Sequence, residues 1–507
     1  MTSGPRGVVA AGHPVSAQAG ADVLRAGGNA VDAALGAMLT ALVCEPLLTG
    51  LGAGGYMLVV GVGGAESAPV VLDFFVEAPG RAAADAAAAD DLPVADLVPV
   101  DVSFGDAVQE FHVGAASVGV YGFPAGVCAA AQRFGTVPLA QLTAPAAALA
   151  REGVALGAVQ AYVIEILAGI VTSTPEAAAL FAPGGRLIRA GERLRQPELG
   201  DALERLGAEG AAPFYTGDIA AAIVAWLGGR GGLVGAADLA AYAVVDREPL
   251  RVRYRGREVL TNPPPSPGGL LLARALALLD DAPSPPPVTA VVAAMENVQD
   301  ARTPEFLAGL SEPGFARRFL SAGSRLGSTT HVSALDGDGG ACSVTCSNGS
   351  ASGVIVPGTG VHLNNMLGEA DLNPEGFHRH PAGWRMPSMM SPTVLLTGGD
   401  GGRPELVVGS AGSNRIRSAV LQTIVRAVDE GLDARAAVQA PRVHYEDGVV
   451  YAEPGIDVDA LERAGRTVRR FRGPNLFFGG AQAAARRPGG AVSGGGDPRR
   501  GGDAVLT

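Results

Sequence analysis

The chain of 507 residues contains no lysine: all 38 of its Lys+Arg positions are arginine. That absence excludes whole classes of chemistry. Schiff-base and pyridoxal-phosphate enzymes need a lysine amine. A P-loop needs its phosphate-binding lysine, and Ser-x-x-Lys acyl enzymes need theirs. Charge is sparse at 17%, with a formal net charge of −12; soluble domains usually carry about 25%. An acidic balance without a basic stripe argues against a nucleic-acid partner. Cysteine is scarce too: Cys44, Cys128, Cys342 and Cys346 are too few for a disulfide framework in a chain this long. The groupings Cys342–Cys346 and His378–His380 do not make up a four-ligand zinc spacing, so no metal is expected. Long hydrophobic runs are missing. The most apolar early stretch, 33–44, spans about 12 residues, whereas a bilayer takes about 20. The start shows no apolar segment behind basic residues, as a signal peptide would. The expectation is a cytoplasmic protein with no membrane partner.

What is present is a 48% hydrophobic chain with 73 glycines and 36 prolines. Its length suits about three domains or one large multilayer domain. Helical patterns run over 15–25 and 30–43, with Asn29 as the N-cap of the second. Others follow over 138–152, 197–206 and 414–430. Strand-like alternation runs over 251–259, and 354–357, 392–396 and 406–409 add further strands. The strongest signal is a β-hairpin, with alternation over 330–335 and 341–347 around the turn Asp336-Gly337-Asp338-Gly339-Gly340. The tail from 486 is rich in Gly and Arg and lacks periodicity. Helices in the first half and strands in the second suggest sheets covered by helices on both sides.

Gly50-x-Gly52-x-x-Gly55 matches a dinucleotide-binding pattern, and Asp73 lies near the expected acidic position. The motif needs a strand before its glycines and a helix after them. Here the order is reversed, so the nucleotide reading is rejected and no cofactor is expected. No Gly-x-Ser-x-Gly elbow occurs. The seven histidines are scattered, and each reads as a surface or satisfied core residue. There remains the entry to the hairpin, Gly327-Ser328-Thr329-Thr330-His331. A Thr at a strand start is usually only a β-former. It becomes a nucleophile without help from His or Lys when cleavage of the bond before it frees its own α-amine. That amine titrates near pH 8 and accepts the hydroxyl proton.

At this hairpin the sequence resembles the gamma-glutamyltransferase family of N-terminal-nucleophile hydrolases, and the likeness covers nearly the whole length. It includes Gly12-His13-Pro14, Gly27–Ala34, Glu45-Pro46, Gly52–Gly55, Asn262–Ser266, Thr329-Thr330-His331, Leu363-Asn364-Asn365, Met390–Thr393, Gly409–Gly412 and Asp497–Gly502. The resemblance implies an α+β fold, a four-layer αββα sandwich. It implies a precursor that cuts itself between Ser328 and Thr329. The pieces, 1–328 and 329–507, stay together as a heterodimer forming one αββα unit. Thr329 would carry an acyl group from a small-molecule substrate, and water or an amine would resolve it. The family's oxyanion donors fall on Gly412 and Ser413.

The substrate-binding positions depart from the family pattern. The Arg of Asp-Phe-Arg-Glu, which grips the substrate α-carboxylate, is Phe75. The carboxylate that holds the α-amino group falls on Glu369. The Ser-Ser pair before Met-Ser-Pro is Ser388-Met389. The family Thr on the second hairpin strand matches Ser347, and its Asn falls on Gly349, with Asn348 one residue short. Losing a bidentate buried ion pair typically costs several kcal/mol of binding. The resemblance therefore implies an acyl hydrolase or transferase whose substrate is not glutathione. Alternatives within the family are an ordinary gamma-glutamyltransferase, a glutaryl β-lactam acylase, and a secondary-metabolite enzyme that removes an oxalyl group by C–C cleavage. A non-catalytic binding relative is the alternative of another class.

Overall fold

The computed structural model describes residues 7–63, 67–81, 97–103, 108–300, 329–370, 372–373, 376–398, 402–412 and 414–507. Asn29 opens the helix Ala30–Cys44 with a reciprocal cap. Its side-chain oxygen accepts from the N–H groups of Val31 and Asp32, and the Asp32 carboxylate accepts from the Asn29 N–H. Two donors that a helix start leaves open are satisfied this way. The helix is buried at all 15 of its positions, as a helix apolar on every face must be. Pro14–Arg25 packs along it. Among the described residues no single helix is long and apolar enough to cross a membrane.

Seven strands make the first sheet, in the order Asp503–Leu506, Val8–Ala11, Thr330–Leu335, Ala341–Ser347, Gly54–Val60, Val70–Phe74 and Val245–Arg247. Six make the second: Val492–Gly496, Gly480–Arg486, Pro404–Ala411, Thr393–Leu396, Arg257–Thr261 and Leu250–Tyr254. All neighbours in both sheets run antiparallel.

The strand Thr330–Leu335 shows how the layers stack. Its side chains alternate between faces. The His331 ring lies against Gly409 of the second sheet, and Ser333 Oγ donates to the Gln482 carbonyl. Val332 and Ala334 point the other way, into the core shared with Ala30–Cys44. On the far side, Leu271 and Leu276 of Pro267–Asp280 join Ile416 and Val420 of Arg415–Val428 over Leu395, Leu406 and Val408. The layers are therefore helix, sheet, sheet, helix. This is the αββα sandwich of the α+β class.

Three local expectations change. The alternating stretch 251–259 is two strands, Leu250–Tyr254 and Arg257–Thr261, paired across a turn at Arg255-Gly256. The tail adds Val492–Gly496 and Asp503–Leu506. The first of these is mostly glycine, so backbone pairing forms it without any side-chain period. Val8–Ala11 is buried at all four positions, and a continuous short apolar run carries no alternation to read.

Candidate active site

Thr329 immediately precedes the strand Thr330–Leu335. It is 1% exposed, and its Oγ1 is buried with no hydrogen-bond partner. Such a hydroxyl costs about 1–3 kcal/mol relative to a satisfied one. An unsatisfied buried group of this kind calls for an explanation, and a role in chemistry is one.

Thr330 faces the opposite layer, where its Oγ1 donates to Glu45 Oε2 at 3.0 Å. Glu45 ends the helix Ala30–Cys44, is 3% exposed, and leaves Oε1 without a partner. Burial pushes its carboxyl up to about 7, against the pull of the Thr330 hydrogen bond and the Arg500 charge. Below its ordinary value of 4.5 the group is neutral in both folded and unfolded chains and has no pH effect. As the pH rises from there, the unfolded chain releases its proton first. Stability is lost until the folded carboxyl also ionises near 7, a total of about 3 kcal/mol. Glu45→Gln is expected to lose this part of the slope when urea midpoints are measured between pH 5 and 8. An unchanged slope in the variant would refute the assignment.

His331 is not placed to serve Thr329. Ser333 Oγ already donates to the Gln482 carbonyl, so it accepts from His331 Nε2–H at 2.9 Å, and Nδ1 accepts from Thr345 Oγ1 at 2.8 Å. Burial lowers this imidazole to about 3. It is a neutral pin between the sheets.

Ser347 ends the strand that pairs with Thr330–Leu335, and its Oγ accepts from the Gly349 N–H at 2.7 Å. Asn348 Nδ2 donates to the His362 carbonyl at 3.2 Å, while its Oδ1 is buried without a partner. Gly349 has φ +67, and a Cβ there would lie 2.1 Å from Asn365 Oδ1 and 2.4 Å from Glu369 Oε1. No side chain fits at the position where the family carries Asn. Glu369 Oε1 and Asn365 Oδ1 both accept from the Ser350 N–H, at 3.1 and 2.9 Å. Ser347, Asn348 and Glu369 thus gather around one turn at the end of the hairpin.

Gly412 follows the strand Pro404–Ala411 with φ +124, a conformation that favours glycine. A Cβ there would lie 2.7 Å from Gly479 Cα and 3.0 Å from Arg500 Nη2. Ser413 and Ser328 fall outside the described residues. Asn414, the next described residue, donates to Glu446. Burial alone would raise the Glu446 carboxyl, but His444 at 3.5 Å and Arg415 at 3.9 Å hold it near 2. This ionised group anchors the chain leaving the Gly412 turn.

Phe75 stacks on Tyr56, with ring centroids 5.4 Å apart, in the apolar layer between the sheets. The guanidinium beside its backbone belongs to Arg385. That group donates to the carbonyls of Phe75 and Ala243 at 2.5 and 2.6 Å and pairs with Glu77 at 3.1 Å. Its Nε is buried without a hydrogen-bond partner, 3.7 Å from Asp73 Oδ1. Ser388 Oγ accepts from the Met390 N–H at 3.2 Å. Met389 turns into the outer core with Leu271 and Leu395.

Sequence reasoning gave no role to Glu45, Thr330, Arg385 or Arg500. Glu45-Pro46 and Asp497–Gly502 stood out only as motifs. The signal in them is burial of charge, which a linear pattern does not display.

The Acylase ACY 1 proenzyme of Pseudomonas sp. (strain SE83) is 32% identical over 486 residues, 90% of this chain and 85% of its own. The glutathione hydrolase proenzyme of Bacillus subtilis (strain 168) is 29% identical, over 88% of this chain and 83% of its own. The crystal structure of cephalosporin acylase from Bacillus halodurans superposes with a TM-score of 0.81 at 27% identity, covering 99% of this chain and 96% of that one. The gamma-glutamyltranspeptidase family profile matches residues 16–308 and 294–507. This chain belongs to the gamma-glutamyltranspeptidase family. It is an enzyme of the N-terminal-nucleophile hydrolase type, for acyl hydrolysis or transfer. Within the gamma-glutamyltranspeptidase family it is a divergent branch: an aromatic stack stands where the family motif carries its carboxylate-binding Arg, and Arg385 donates to the Phe75 carbonyl.

Proposed function

We propose that this chain cuts itself between Ser328 and Thr329 and then uses Thr329 as the nucleophile of an acyl hydrolase or transferase that does not act on gamma-glutamyl compounds. The observation that carries the reading is the Thr329 hydroxyl, buried and unpartnered at the head of a central strand. Cleavage frees an α-amine on the same residue, close enough to take the hydroxyl proton as Oγ1 attacks an acyl carbon. The backbone N–H groups of Gly412 and Ser413 receive the developing oxyanion. Water or an amine then releases the acyl group. Relatives named acylases support an acyl substrate. Phe75, packed on Tyr56, supports the change in substrate, because an apolar ring gives a carboxylate nothing to bind.

Two measurements test this reading. Denaturing electrophoresis of purified protein is expected to show two fragments, the smaller beginning at Thr329; a stable intact chain, or another cut site, would refute processing. Butyryl p-nitroanilide has the acyl length of a gamma-glutamyl group without its amino-acid end. It is expected to exceed gamma-glutamyl p-nitroanilide in kcat/KM by about 100-fold, the order of a lost buried ion pair. Preference for the glutamyl compound would restore the ordinary transferase reading.

A further inference from the structure

Two consecutive arginines at the C-terminal turn have opposite fates. Arg499 is fully satisfied: it donates to Glu453 at 2.7 and 2.5 Å, to Asp497 at 3.2 Å, and to the carbonyls of Val438 and Ala440. Arg500 is not. Among the described residues its side chain makes no hydrogen bond or ion pair, and its Nε is buried without a partner. Burial and the neighbouring Arg415 charge bring its guanidinium down to about 10. The residue is partly buried, and the carboxylates of Asp497 and Glu45 act on it only from beyond ion-pair distance. Its buried Nε is therefore left without a direct partner, which is costly. An anion from outside relieves it.

The surroundings say what kind of anion. Arg500 lines a narrow pocket with Glu45 and Gln160, and its other walls include Leu48, Val163 and Leu476. Most of the lining is apolar, with Glu45, Gln160 and Arg500 as its polar members. The pocket adjoins both halves of the proposed chemistry. Arg500 Nη2 lies 3.0 Å from where a Gly412 Cβ would stand, and Glu45 holds the hydroxyl of Thr330, next to Thr329. It lies on the side where the Thr330 hydroxyl meets Glu45, and its lining shares no residue with the interior layer holding Phe75 and Tyr56. The acyl reading uses Thr329 and Phe75, and a neighbouring pocket lined by neither is free for the other half of the substrate.

We infer that Arg500 forms a carboxylate subsite for the amine half of the substrate, the leaving group or acceptor, whose apolar body lies along Leu48, Val163 and Leu476. A guanidinium offers a carboxylate a planar pair of donors. Glu45 Oε1, itself without a partner, provides one further polar contact in the same pocket. The inference rests on the proposed acyl chemistry for the word substrate but not for the binding itself, and the test keeps these apart.

The probe is 6-aminohexanoate, an amine with an apolar chain and a terminal carboxylate, compared with hexylamine, which lacks the carboxylate. Calorimetric titration of the full-length protein needs no turnover. Binding of 6-aminohexanoate is expected, with hexylamine at least about tenfold weaker and Arg500→Gln reducing the affinity for 6-aminohexanoate by a similar factor. Val163→Phe narrows the groove without touching either charge and is expected to weaken both ligands, so the question stays answerable if the Arg500 variant fails to fold. No binding by the wild type, equal binding of hexylamine, or no effect of both variants would overturn the subsite. If binding behaves as expected but butyryl p-nitroanilide is not turned over with or without 6-aminohexanoate, the site stands and the acyl-chemistry reading fails.

Discussion

Thr329→Ala is expected to leave the chain in one piece and to lower turnover of butyryl p-nitroanilide by about a thousandfold or more. Both losses have one cause. In the proposed mechanism the same hydroxyl attacks the peptide bond before it and, once the amine is free, the substrate acyl carbon. Thr329→Ser keeps the oxygen and is expected to retain part of each activity, which separates chemistry from packing. The methyl of Thr329 sits in a buried position, so a fall in stability of about 1 kcal/mol in either variant is no surprise. An Ala variant that still turns over substrate would mean that another group is the nucleophile.

Asp497→Ala is expected to destabilise the protein by about 3–5 kcal/mol, read as a fall in the urea midpoint. Asp497 is completely buried and accepts from the N–H groups of Ala481 and Arg499 at 2.8 and 3.0 Å. It also pairs with Arg442 at 2.7 Å and Arg499 at 3.2 Å. Removing it leaves two buried guanidiniums with Glu453 as the remaining carboxylate of the cluster. Breaking a buried ion network from one side strands the charges on the other. Asp497→Asn keeps the acceptor oxygen and is expected to lose less. A change under about 1 kcal/mol for the Ala variant would show that solvent reaches this cluster after all.

Much of the fold was legible because its decisive elements announce themselves locally. The hairpin over 330–347 combines alternation with a turn of Asp and Gly, and the observed register pairs Thr330 with Cys346 through Leu335 with Ala341. The Asn29 cap preceded an apolar run. Strands without such marks were missed: Val8–Ala11 is uniformly apolar, and Val492–Gly496 has too few side chains to show a period. Val8–Ala11 depends on partners hundreds of residues away, whereas Val492–Gly496 pairs with the nearby Gly480–Arg486 through its backbone. The candidate site divides the same way. Thr329 and Gly412 lie within motifs with a chemical rationale. Glu45 and Arg500 owe their interest to desolvation, a property of the assembled layers. Asn348 reads from sequence as a neighbour of the family Asn position. Only the backbone at Gly349, with φ +67 and no room for a Cβ, shows why that position itself carries no side chain.

The strand Val8–Ala11 is hydrogen-bonded on one edge by Thr330–Leu335 and on the other by Asp503–Leu506. A piece from the beginning of the chain is thereby clasped between two pieces from its end. Cutting the backbone before Thr329 disturbs none of these pairs, but it alters the unfolded state: one molecule becomes two. Refolding changes from a first-order event to a second-order encounter, so equilibrium stability acquires a dependence on concentration. In dilute solution the cut protein then persists through the height of its unfolding barrier, not the depth of its free-energy minimum. With interleaved strands the proposed cut would act as a ratchet: the chain would have one opportunity to fold as a single molecule, and maturation would close the way back.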